Sequence, residues 1–183
     1  MNRLSALALA FLGFACGGAA SSLPSRTPAP TGVAEAQAAT PQTGVVPEAA
    51  HRAPFQANVL QAARSNDAYR RVVFTGVKTQ LALMTIPVGG DTGFETHFKV
   101  EQLIFIADGQ AKAILDGAES ALTPGDVVVV TPGTRHDIVN TGSEPLRIYT
   151  VYAPPNHIDG RVQPTKADAE ADKADEAFGQ AVR

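Results

Sequence analysis

Tryptophan is absent from the 183 residues, and aromatic side chains make up 6% of them. A stacking platform for bases or sugar rings is therefore poorly supplied. There is one cysteine, Cys16, which excludes an internal disulfide and a thiolate zinc cluster. Surplus positive charge is missing too: 15 basic residues against 18 acidic give a formal charge of −3. Nothing in that balance draws the chain to a phosphate backbone, and no nucleic-acid partner is expected. Metal chemistry is left to imidazole, carboxylate and amide, and the histidines are His51, His97, His136 and His157.

Four stretches differ in texture. Residues 1–20 begin with Met-Asn-Arg, continue as an apolar run over 4–15 that is too short to span a bilayer, and end in Cys16 and small residues. This is the pattern of a secretory signal, so the protein is expected to be exported to the periplasm or cell envelope. Two processing routes stay open. Leu12-Gly13-Phe14-Ala15-Cys16 resembles a bacterial lipobox, although Gly13 and Phe14 fit it poorly, and a lipid on Cys16 would be the one attachment to a membrane. A cut after Gly18-Ala19-Ala20 would instead discard Cys16. No twin-arginine pattern is present, so translocation unfolded and metal acquisition outside the cytoplasm are expected. Residues 21–54, rich in Pro, Ala, Thr, Ser and Gly, read as a disordered linker, with His51 solvated in it.

The body, 55–155, alternates short β-branched runs with Gly- and Pro-containing turns such as Asp108-Gly109, Asp116-Gly117 and Pro132-Gly133. Strands are expected at 69–75, 79–86, 94–98, 103–107, 111–115, 127–130, 137–140 and 146–153, arranged as an antiparallel sandwich or barrel. Residues 58–63 read as a helical turn or an edge segment. The strand at 79–86 has no polar face and is expected to be buried on both sides. In the tail, 156–183, Thr165 with Asp168 three residues on predicts a capped short helix over 166–178, ending before Gly179. Its apolar residues are mostly Ala, which predicts a surface helix.

Two segments carry the chemistry. In the first, Gly89, Glu95, His97, Gln102 and Gly109, the two-residue spacing of Glu95 and His97 places both side chains on one face of a strand. In the second, Gly125, Gly133, His136 and Asn140, an apolar strand ends at a turn that delivers His136.

These spacings resemble the paired motifs of the cupin superfamily, in particular its small single-domain bacterial members. The resemblance covers about 69–153. It implies an all-β fold, a double-stranded β-helix or jelly-roll barrel, here with short helical N- and C-terminal extensions. Three residues depart from the motifs. Glu95 stands at the usual first histidine, Gln102 at the usual glutamate, and Thr131 at the proline of the second motif. Glu101 is adjacent, but the six-residue gap to Gly109 favours Gln102 as the inward residue.

The ligand set the resemblance implies is Glu95, His97, Gln102 and His136, holding one divalent ion: Mn, Fe, Ni or Zn. Converging Glu, His and Gln side chains in an apolar barrel are costly without a partner, and water in an open mouth competes with a metal for that part. The leading expectation is an enzyme of isomerase, lyase or dioxygenase type acting on a small oxygenated, sugar-like or chelating substrate. In it, Glu95 would leave the metal to act as a base. The other is a non-catalytic module that binds a small molecule or metal. Arg135, Lys99 and Glu101 read as solvated, and Asn140 as closing a turn. Tyr69, Tyr149 and Tyr152 read as sheet packing. His157 reads as a surface-loop residue, with folding back over the barrel mouth as the alternative. A homodimer is expected, with 55–63 reaching a partner's sheet edge.

Overall fold

The β-branched runs form strands because their side chains fill a pleated, half-buried surface, and the Gly- and Pro-rich stretches between them turn the chain. The computed structural model describes residues 53–182; the segment expected to direct export, with Cys16, and the expected linker up to 52, with His51, lie outside it. One sheet has six strands in the order β10-β1-β2-β9-β4-β7. Its members are β1 (Arg70–Thr75), β2 (Gln80–Ile86), β4 (Glu101–Asp108), β7 (Val127–Val130), β9 (Leu146–Ala153) and β10 (Val162–Gln163). The other has four, in the order β3-β8-β5-β6: β3 (Glu95–Thr96), β5 (Ala111–Leu115), β6 (Ala118–Leu122) and β8 (Arg135–Asn140). The strand pairs are antiparallel. Together the two sheets form a double-stranded β-helix.

The core lies between the sheets. Met84, Ile86, Ile104, Ile106, Val130 and Ile148 from the larger sheet meet Ala111, Ala113, Leu122 and Ile138 from the smaller. Burying a large aliphatic side chain contributes roughly 1.5–3 kcal/mol, which makes this layer the main source of stability. Asn140 locks one end, its Nδ2 donating to the carbonyls of Ile86, Pro87 and Glu144 and its Oδ1 accepting from Gly142 N–H. This is the turn-closing role expected of it.

The strand expected to be buried on both faces is covered on both, with Leu81 and Thr85 only half-buried. Helix α1 (Val59–Ser65), capped by Asn58, lies against β2, β4 and β9, where Ala63, Leu83 and Ala107 form a second cluster. Phe55 stacks on Phe74 with ring centroids 5.2 Å apart. The segment expected to reach a partner thus covers its own sheet.

Strands β6 and β10 lie outside the strands expected from the sequence. Strand β6 is mostly exposed and has no apolar alternation; it forms because Asp116 and Gly117, with φ of 48° and 88°, fold it back onto β5. The strand expected at 94–98 shortens to two residues, with Phe94 and Phe98 exposed on either side. In the tail, Thr165 and Asp168 form the expected capping box, but the helix breaks at Asp172 into α2 (Lys166–Ala171) and α3 (Lys173–Val182). Asp172 accepts the Asp175 N–H and so caps α3. Gly179 does not follow the helix; it lies inside α3, where a Cβ would come within 3.1 Å of Asn156 O. Its place is set by close approach rather than by chain reversal.

Candidate metal centre

Register brings the two motifs together. Glu95 on β3 lies opposite His136 on β8, and Gln102 on β4 lies opposite both Val130 and Tyr152. His97 follows β3 in a turn, and its carbonyl accepts the Gly133 N–H at 2.7 Å. Gly133 has a φ of 89°, which lets the chain reverse between β7 and β8 and deliver His136 inward. Thr131, where the motif has proline, keeps this turn tight by a 3.1 Å hydroxyl contact with Thr134.

Glu95, His97 and His136 each offer one ligand atom, and the three atoms lie within 4.8 Å of one another. His97 is 1% exposed, and neither of its ring nitrogens has a hydrogen-bond partner. Its Nε2 is 3.2 Å from Glu95 Oε2 but is not aligned as a hydrogen bond. His136 Nδ1 lies 3.0 Å from the Thr134 carbonyl. A carbonyl only accepts, so Nδ1 carries the hydrogen and Nε2 presents a lone pair. That lone pair is 3.2 Å from Gln102 Oε1, while Gln102 Nε2 donates to Thr150 Oγ1 at 3.1 Å. In this orientation two acceptors face each other, an arrangement that a cation satisfies. Turning the amide over lets Gln102 donate to His136 and the Thr150 hydroxyl donate to Gln102, which pairs the same atoms without a cation.

Electrostatics favour a fixed anion. Burial opposes ionisation of Glu95, but His97 and the Arg70 guanidinium outweigh it and bring the carboxyl down to about 2. Arg70 Nη2 is 3.8 Å from Glu95 Oε1. Burial pushes His136 below the usual histidine range, so its imidazole is neutral. Burial also raises Tyr152 to about 12, which keeps its hydroxyl protonated. A carboxylate, two imidazoles and an amide oxygen make a mixed N/O donor set suited to first-row divalent ions. A void of about 10 Å³, lined by residues that include Glu95, Gln102, His136, Arg70 and Tyr152, is the size of one water or ion.

Of the residues singled out in the sequence, Glu95, His97, Gln102 and His136 converge here. Glu101 does not: it is exposed, whereas Gln102 is buried. Lys99 is exposed, and Arg135 lies over the Phe94 ring at 3.6 Å from its centroid. Tyr149 stacks on Phe105, and Tyr69 donates toward the Asp91 and Thr92 carbonyls. His157 is not a surface-loop residue. It is 7% exposed, edge-on to Tyr152, and 2.7 Å through Nδ1 from Asp175 Oδ2. The tail returns over the barrel because Gln80 holds its backbone, accepting from Asn156 and His157 N–H and donating to His157 O.

Arg70, Asp175 and Tyr152 also stand at the site without having been expected there. Arg70 and Asp175 lie outside both motifs, and Tyr152 carries no spacing signal of its own. A second cavity, about 310 Å³, lies between the barrel mouth and α2–α3, lined by residues that include Arg70, Glu95, Asn156, His157, Lys166, Lys173 and Asp175. Arg70, Thr92 and Glu95 line both cavities.

Residues 82–152 match the cupin domain family. YrkC, an uncharacterized protein of Bacillus subtilis, is 37% identical over 124 residues, covering 64% of this chain and 67% of that protein. L612 of Acanthamoeba polyphaga mimivirus is 34% identical over 112 residues, 59% of this chain and 70% of that protein. The crystal structure of BH2720 from Bacillus halodurans superposes with a TM-score of 0.64 at 34% identity, covering 65% of this chain and 95% of that one. The motif spacing, the double-stranded β-helix and these relatives agree: the chain belongs to the cupin family.

Proposed function

We propose that this cupin is exported, holds one divalent metal ion through Glu95, His97, Gln102 and His136, and acts on a small oxygenated substrate in an isomerase, lyase or dioxygenase reaction. The observation that carries the reading is the trio of ligand atoms within 4.8 Å, beside a buried His97 whose ring nitrogens have no hydrogen-bond partner. Leaving such groups unpaired costs about 1–3 kcal/mol each, and a bound cation removes that cost at the one ring nitrogen it ligates. When bound, the ion supplies Lewis acidity to adjacent substrate oxygens.

The chain's own residues do the rest. Glu95 brings the negative charge, which Arg70 and His97 keep in place. Thr134 fixes the His136 tautomer, so that Nε2 is free to bind. Gln102 adapts by turning its amide: a donor to His136 without metal, an oxygen ligand with it. A carboxyl held at about 2 is a weak proton acceptor at neutral pH. For Glu95 to act as a base it must first separate from His97 and Arg70. That tethering favours the second reading, a binding module that captures a small ligand without turnover.

Elemental analysis of protein recovered from the native envelope, beside the variant His97→Ala/His136→Ala, tests the site. About one ion per chain, lost in the variant, supports it, and a metal-free, folded wild type overturns it. Turnover by the wild type that disappears in Glu95→Gln with the metal retained selects the enzyme. Unchanged ligand affinity in that variant, with no turnover, selects the module.

Attachment through a lipid on Cys16 is proposed as well, and loss of lipid labelling in Cys16→Ser tests it. Edge strand β7, with Val127 and Val129 about half exposed, supports a homodimer formed by strand pairing. Light scattering that gives the mass of a single chain removes that part.

A further inference from the structure

The tail covers the mouth of the metal centre with little apolar anchoring. Helix α2 buries no residue and α3 buries only Asp175 and Gly179, while Ala169 and Val182 are partly buried against the core. Polar contacts hold it instead. Asp175 pairs with His157, Gln163 bridges Arg70 and Asp172, Arg161 pairs with Asp172, and Lys166 pairs with Asp91. Segments held this way open more readily than a barrel core.

Beneath this cover three residues that line the cavity, Asn156, His157 and Arg70, each carry a buried polar atom with no partner. Those of His157 and Arg70 are an acceptor and a donor for a ligand. A carboxylate only accepts, so His157 gives its Nδ1 hydrogen to Asp175 and keeps a lone pair on Nε2. Asp175 also accepts from Ile158 N–H at 2.8 Å, and Gln80 clamps the His157 backbone, which leaves the ring one orientation. Docking of the tail uses Nδ1 and the backbone, and it leaves the buried, unpaired Nε2 unexplained. Arg70 repeats the pattern: Nη1 donates to Gln163 at 3.1 Å, Nη2 is near Glu95, and Nε is buried without a partner. Both side chains line the 310 Å³ cavity. Native proteins rarely leave such groups unpaired, and those they do leave ask for an explanation.

We propose that the tail from Pro154 onward is a lid that opens to admit a small hydroxy-carboxylate and closes on it. The ligand hydroxyl then donates to His157 Nε2, and its carboxylate accepts from Arg70 Nε–H. The other charges around the cavity are already matched, Lys173 with Glu176 and Lys166 with Asp91 and Glu170. With Glu95 given to a cation, Arg70 is the charge left to meet an anion. The proposal deepens the small-substrate reading by naming a substrate class, and it rests on the metal only for that last step.

Hydrogen exchange of the full chain, with glycolate as the probe, tests it in both metal-loaded and chelator-treated protein. Amides of α2 and α3 are expected to exchange faster than those of β2 and β9, and glycolate is expected to slow them at least fivefold. His157→Gln abolishes that slowing. Because this variant also loosens the tail, Arg70→Lys serves as the second: it keeps the charge and the His157–Asp175 pair but loses the Nε donor and weakens the slowing. Since Arg70 also holds Gln163, each variant is read against its own exchange without glycolate. No slowing by glycolate in the wild type, or equal slowing in both variants, overturns the proposal. Slowing that survives in a protein that takes up no metal keeps the lid and removes the metal centre. Metal uptake with no response to glycolate does the reverse.

Discussion

Gly133 donates its amide hydrogen to the carbonyl of His97 at 2.7 Å, so the turn that delivers one imidazole is fastened to the residue that supplies the other. A Cβ at Gly133 would meet nothing within 4 Å, but the φ of 89° is unfavourable for an L side chain. Gly133→Ala is therefore expected to cost about 1–2 kcal/mol through backbone strain alone. If the turn relaxes, both imidazoles shift, and metal affinity falls while the barrel stays folded. Metal titration beside thermal unfolding checks this; an affinity equal to wild type means the turn has absorbed the strain.

Gln102→Glu places a second carboxylate opposite His136 and near Glu95. Without an ion the two acids repel and His136 loses its amide donor, so the metal-free variant is expected to unfold at a lower temperature than the wild type. With an ion, the added charge raises affinity roughly tenfold or more. Competition against a chelator, with melting curves in both states, reads the two effects separately.

The depressed Glu95 carboxyl links stability to acid. Its folded value of about 2 lies below its ordinary value of 4.5, so the contribution is fully present above the ordinary value and is lost as pH falls through the folded one. In metal-free protein the stability gap between wild type and Glu95→Gln is expected to be level above about pH 5 and to shrink steadily as pH falls below that. A gap that does not change over this range shows that Arg70 and His97 do not hold the charge.

Gly179→Val tests how the tail is seated. The added side chain meets the Asn156 carbonyl, which belongs to the backbone and cannot swing aside. Detachment of α3 is expected, seen as rapid proteolysis beyond residue 164 with the barrel intact. Unaltered resistance means Asn156 and α3 can part without releasing the tail.

Much of the barrel was legible because period-two apolar runs and glycine turns are local signals. The strand at 79–86 could be read as buried on both faces from its composition, although what covers it, α1, could not. The break in the C-terminal helix and the place of Gly179 were hidden. Asp172 ends one helix and caps the next at the usual three-residue spacing to Asp175, but the contacts with Arg161 and Gln163 that hold it there have no fixed spacing to it.

The same division holds at the site. In the sequence, the resemblance of the motif spacings to those of cupins named the ligand candidates, with Glu95 and His97 two apart on one strand face and the gap to Gly109 favouring Gln102 over Glu101. Only the tertiary structure decided that Arg70 stands beside Glu95, and that His157 leaves the loop to meet Asp175 above Tyr152. Those contacts join residues far apart in the chain. Their formation depends on how the tail returns across the barrel mouth, through Gln80 and the Gly179 approach, and periodicity carries no information about that path.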